Sequence, residues 1–136
     1  MSERGCVETA VRGLVDAVNQ GEFATALTAF SEVAVIVEDI PAFRWEGAGA
    51  ASEWLAAMGA NAAKMNVGSV LMRLGRATRI EVASGSAYAV FSGKLRLRSG
   101  EAELGADGIL TLTLRTVEGR WLIDTAPWSG PELAFM

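Results

Sequence analysis

From Gly108 to Ser129 the chain reads GILTLTLRTVEGRWLIDTAPWS, a stretch that restricts what everything upstream of it can do. Leu110, Leu112 and Leu114 alternate with Thr111, Thr113 and Arg115, and after Val117-Glu118-Gly119-Arg120 the run Trp121-Leu122-Ile123 resumes. Alternation of this length marks a half-buried strand, and Glu118-Gly119 supplies the tight turn of an antiparallel hairpin. One face of that hairpin is leucine and needs a cover. The register therefore predicts Leu110, Leu112 and Leu114 facing upstream helices, with Thr111 and Thr113 turned away, since a slip of one residue would exchange the faces.

The upstream chain has the helices to do this. Val7, Val11, Leu14, Val15 and Val18 recur at helical spacing, which predicts an amphipathic helix over about 5–20 closed by Asn19-Gln20-Gly21. A shorter helix is expected from Glu22 to about Phe30, and a third from about Ala48 to Lys64, with Ala51, Trp54 or Leu55, Met58 and Ala62 as its apolar stripe. Between them Val33 to Asp39 is β-branched and ends at Ile40-Pro41, a short strand. Beyond Asn66 everything reads as sheet. Strands are expected at Ser69–Leu74 continuing through Arg76–Val82 with a bulge at Gly75, at Ala87–Arg98, and at Ala102–Thr116 with a weak point at Gly105 to Gly108. On the second of these, Ala89, Phe91, Gly93, Leu95 and Leu97 share one face and Val90, Ser92, Lys94 and Arg96 the other. Helices first and antiparallel strands after is an α+β layout, and residues 1–136 suit a single domain.

Several function classes are excluded by composition. The chain has no histidine, which removes Ser-His-Asp and Cys-His catalysis and His-containing zinc sites. Acid-base chemistry must come from a carboxylate, Tyr88, Cys6, Lys or Arg, and neither cofactor nor metal is expected. Glu38 and Asp39 are adjacent on a strand, so they point to opposite faces and do not make a metal cage. The net charge of −4 argues against nucleic acid. Charge is also divided along the chain: eight of the twelve basic residues lie from Arg73 to Arg120, and nine of the sixteen acids from Glu3 to Glu53. No apolar run approaches the roughly 20 residues of a membrane span. MSERGCVETA carries Glu3 and Glu8 where a signal peptide has a basic and then an apolar segment, so the expected location is cytoplasmic, with Cys6 a free thiol. Gly47-Ala-Gly49-Ala-Ala-Ser52 imitates part of a dinucleotide fingerprint, without its third glycine or a parallel βαβ setting.

The order of elements resembles the nuclear transport factor 2-like superfamily, which includes ketosteroid isomerases and polyketide cyclases. The marks are Asn19-x-Gly21-Glu22 ending the first helix, Gly47 before the third, Gly119-x-Trp121 in the last turn and Trp128-Ser129 at the end. The resemblance implies a cone: a strongly curved antiparallel sheet of about five or six strands wrapped around three N-terminal helices, the cystatin-like architecture. Val37-Glu38-Asp39 is similar to the stretch that carries the proton-transferring Asp of ketosteroid isomerases, which makes Asp39 the matching base. The tyrosine donor of those enzymes falls at about Gly13 or Leu14, neither of which has a hydroxyl, and their protonated Asp falls at Leu110 or its neighbours, which are apolar or Thr. One such donor is worth on the order of 10²–10³ in rate.

A small apolar molecule is the expected partner, in a pocket lined by Leu14, Trp54, Met58, Phe91, Leu112 and Trp128 with Asp39 at its polar edge. Alternation turns Phe91 inward, whereas matching Ala87-Tyr88-Ala89 to the isomerases would turn Tyr88 inward instead. The functional expectation is an isomerase or lyase using Asp39. The alternative is a non-catalytic ligand-binding or dimerisation module of the same fold. Thr111, Thr113, Arg115, Arg96 and Val90 on the opposite sheet face suit a two-fold homodimer contact, moderately polar and salt-sensitive.

Overall fold

The computed structural model describes all 136 residues. The leucine hairpin forms as its alternation requires. Strand β5 (Ala102–Val117) and strand β6 (Arg120–Ser129) pair antiparallel, with Val117 opposite Arg120. Both central turn residues, Glu118 at φ 52° and Gly119 at φ 81°, are left-handed, the geometry whose twist matches that of the strands. Leu110, Leu112 and Leu114 are buried, while Thr111 and Thr113 lie half-exposed on the other side.

The hairpin sits inside one curved sheet. In chain order the remaining elements are α1 (Glu3–Asn19), α2 (Phe23–Leu27), β1 (Phe30–Val37), β2 (Arg44–Glu46), α3 (Ala50–Lys64), β3 (Val67–Ala83), β4 (Ser86–Ser99) and β7 (Ala134–Phe135). The strand order is β2-β1-β6-β5-β4-β3, and β7 pairs with the free part of β5 at Leu104 and Gly105. The expected cone is thus present, with two additions. The two short strands β2 and β7 extend the sheet, and β1 runs parallel to β6 while the other pairings are antiparallel. Strand β3 is continuous, and its register with β4 shifts between Leu74 and Ala77, around the Gly75 bend.

Helix α1 begins at Ser2, whose Oγ accepts from Gly5 N at 3.0 Å, and it buries Val7, Val11, Leu14 and Ala17 on one stripe. Polar side chains also fasten it to β3. Asn19 Nδ2 donates to Met72 O at 2.8 Å while Met72 N donates to Asn19 Oδ1 at 3.0 Å, and Arg12 Nη2 donates to Gly75 O at 2.8 Å. Helix α3 buries Ala50, Ala51 and Trp54, leaving Leu55, Met58 and Ala62 half-exposed. The Trp54 ring meets Phe30 edge-on, with centroids 5.9 Å apart. Between helices and sheet lies one apolar core, and Phe91, Leu112, Leu114, Ile123, Ile36, Val7 and Val11 are its fully enclosed side chains.

Candidate functional site

Strand β1 decides which carboxyl faces the interior. Ala34 and Ile36 are buried, whereas Val35 and Val37 point outward, so continuing the alternation turns Glu38 in and Asp39 out. Asp39, the base expected from the resemblance, is accordingly exposed, and Glu38 is half-buried. In the parallel pairing Ile36 faces Ala126 and Val37 faces Pro127, which brings Glu38 level with Trp128. The Glu38 carboxyl is held above its ordinary value of 4.5. Burial opposes its charge, the Trp54 indole N–H partly offsets that, and the adjacent Asp39 charge raises it again. Trp54 Nε1 is buried and completes no hydrogen bond of regular geometry.

Trp128 forms the other side of this end of the cone. Its indole crosses two paired glycines, Gly93 on β4 and Gly108 on β5. A Cβ on Gly108 would stand 2.5 Å from Trp128 Cζ2, and one on Gly93 would stand 3.0 Å from Trp128 Cζ3 and 3.0 Å from Met72 Sδ. At Gly108 no Cβ fits, since the Ser129 backbone oxygen also stands 2.5 Å away, and at Gly93 a Cβ would press tightly on the two side chains. The two glycines therefore let Trp128 lie against the concave sheet, beside Met72.

The six residues expected to line the pocket separate by depth. Leu14, Phe91 and Leu112 belong to the closed core, with the Arg12 guanidinium 5.4 Å from the centroid of the Phe91 ring. Trp54 is buried, and Met58 and Trp128 are half-exposed against that core. Phe91 faces inward as alternation predicts, whereas Tyr88 is 38% exposed with Arg79 over its ring at 5.6 Å. Two surface cavities lie outside the cone. One, of about 270 Å³, is lined by Leu27, Phe30, Ser31 and residues at the start of α3. The other, of about 350 Å³, lies between α1, α2 and the turn at Gly119, and of the six only Leu14 reaches either.

The outer sheet face has its own polar order. Asp124 accepts from Ser31 Oγ at 2.5 Å and from Arg115 Nε at 2.7 Å, and the Thr113 and Thr125 hydroxyls are 2.6 Å apart. No helix is long and apolar enough to cross a membrane, and no three His, Cys, Asp or Glu side chains cluster as a metal site would require.

No family model and no curated protein matches the sequence. Solved structures do match. A protein of Novosphingobium aromaticivorans provisionally named scytalone dehydratase superposes with a TM-score of 0.81 at 14% identity, over 97% of this chain and 86% of its own. A type 2 hexachlorocyclohexane dehydrochlorinase gives 0.80 at 10% identity, over 98% and 88%. A nuclear transport factor 2-like protein of unknown function from Pseudomonas putida gives 0.69 at 21% identity, over 96% and 89%. With strand order, helix placement and superposition in agreement along nearly its whole length, the chain has the nuclear transport factor 2-like fold.

Proposed function

We propose that the protein binds a small, neutral, mostly apolar molecule at the open end of the cone and moves a proton on it, as an isomerase or lyase does. One observation carries this reading: a carboxyl on the concave face, level with Trp128 and beside Trp54, with a raised proton affinity. Such a group is a stronger base than a solvated carboxylate. The resemblance gives the role to Asp39. The inner-face position favours Glu38, with Asp39 as the neighbouring charge that keeps its proton affinity high. Trp54, Met58 and Trp128 would form the walls, over a floor of Leu14, Phe91 and Leu112.

The chemistry this permits is proton abstraction next to a carbonyl. Glu38 takes the proton, and the C–H electron pair moves toward the carbonyl oxygen. Return of the proton at another carbon completes an isomerisation, and departure of a leaving group completes an elimination. Dehydratase and dehydrochlorinase, the names of two structural neighbours, are names of lyases. Loss of deuterium from the carbon between the ring and the carbonyl of 2-tetralone tests this directly. The wild type should accelerate it, Glu38→Gln should abolish the acceleration and Asp39→Asn should retain it. The reverse pattern would return the role to Asp39, and no acceleration by the wild type would leave a binding module.

Association of two copies is a second reading, supported by the outer face. Its Thr113–Thr125 and Arg115–Asp124–Ser31 contacts already pair the polar groups within one chain, which lowers the cost of covering them. Thr111, Val90 and Arg96 stand half-buried around them. A two-fold homodimer through this face would sediment at twice the 14.3 kDa chain mass at micromolar concentration, and a clean monomer would end that reading. A cytoplasmic location is consistent with the single free thiol of Cys6.

A further inference from the structure

One buried side-chain polar atom in the protein lacks a hydrogen-bond partner: Nε1 of Trp54. The residue is 8% exposed, and its ring packs edge-on against Phe30. A phenylalanine would make that apolar contact without burying a donor, so the N–H is a standing cost to the fold unless something accepts from it. One protein acceptor is within its influence, the Glu38 carboxyl, which the indole N–H favours in its charged form without closing a regular bond. Burial and the Asp39 charge raise the proton affinity of that carboxyl, and Trp54 lowers it. An anionic ligand would meet the Glu38 and Asp39 carboxyls there, whereas a neutral acceptor oxygen would meet the buried indole N–H.

We propose that the Trp54 indole N–H is the hydrogen-bond donor of the ligand site, receiving the carbonyl oxygen of a neutral ketone or aldehyde whose flat apolar body lies against Trp128, with the Glu38 carboxyl beside the carbon next to that carbonyl. This rests on the reading of the open end of the cone as the ligand site. It supplies an oxyanion donor on α3, in a chain where positions 13, 14 and 110 have none. As negative charge grows on the ligand oxygen, the donor would serve it better than it serves the starting ketone.

The test compares two neutral probes of one shape, 2-acetylnaphthalene and 2-isopropenylnaphthalene, which differ by a carbonyl oxygen in place of a methylene. The wild type should bind the ketone about 5- to 10-fold more tightly, the effect of one buried neutral hydrogen bond. In Trp54→Phe the preference should fall to about unity, with the hydrocarbon affinity kept. Two readouts guard against a variant that merely packs badly. In the wild type the Trp54 indole N–H proton resonance should move downfield with the ketone and not with the hydrocarbon. In Trp54→Phe the Glu38 carboxyl, titrated by carbon-13 NMR, should move further up, because the donor that favours its charged form is gone. No ketone preference in the wild type, an equal preference in both proteins, or an unmoved indole resonance overturns the donor role and leaves the cone as an apolar site. Binding of neither probe overturns the ligand-site reading and this proposal with it.

Discussion

The two ends of the cone use the same strands differently. At the closed end, β4 and β5 present Phe91, Leu112 and Leu114 beneath α1, and these side chains with Ile123, Val7 and Val11 are enclosed almost completely. Toward the open end the same two strands present Gly93 and Gly108, then Leu95 half-buried with Ala106 and Leu97 buried, while the inner side of β3 leaves Val70 44% exposed. The contrast follows helix cover: large aliphatic side chains fill the space that α1 closes, and where the cover ends glycines clear room for an indole. The enclosed core and the open end thus occupy different lengths of the same two strands.

Truncations at the two ends should measure that separation. Leu112→Ala removes a fully enclosed side chain and should cost about 2–5 kcal/mol in urea unfolding, while Met58→Ala at the half-exposed end should cost about 1 kcal/mol or less. Equal losses would mean that the open end is core as well.

Gly108→Ala tests the glycine floor. The added Cβ would meet both Trp128 Cζ2 and the Ser129 carbonyl oxygen at 2.5 Å, and the latter is backbone that cannot rotate away. A loss of about 1–3 kcal/mol is expected, together with a shift in tryptophan emission as Trp128 leaves the sheet. An unchanged spectrum would show that the indole does not depend on the gap.

The smallest effect concerns pH. A carboxyl whose folded pKa lies above its unfolded value binds more protons folded than unfolded, so its contribution to stability is full below 4.5 and is lost as pH rises through the folded value. Glu38→Gln cannot lose it. The melting temperature of the wild type should therefore fall relative to that of Glu38→Gln as pH is raised from about 4 through that window, and should then run parallel to it. A difference that stays flat, or moves the other way, would place the Glu38 carboxyl in water.

The closed end was readable in the sequence because the two phases of β5 differ chemically, leucine on one side and threonine or arginine on the other. Strand β1 offers no such contrast. Val33-Ala34-Val35-Ile36-Val37 is apolar in both phases, so nothing local decides whether Glu38 or Asp39 faces inward. The parallel pairing of Ile36 with Ala126, a partner ninety residues away in the chain, decides it. Strands β2 and β7 have three and two residues, too few for any periodicity to register. Gly105 to Gly108 reads locally as a weak point in a strand, and the use of Gly108 appears only once Trp128 is folded over it. Asn19 looks like an ordinary end to a helix, whereas its side chain also reaches β3.

That reach bears on a hazard of every open sheet. Strand β3 is the last in the strand order, seventeen residues long, and its outer edge would offer another chain a row of free backbone donors and acceptors. The Asn19 carboxamide takes the Met72 N–H and C=O just as a residue of an added strand would, and the Arg12 guanidinium occupies the Gly75 carbonyl a few residues along. Helix α1 therefore guards the middle of the edge against edge-to-edge pairing. A chain without the Asn19 carboxamide would keep its core and its cone, and its defect would appear first in concentrated solution, as molecules joining through β3.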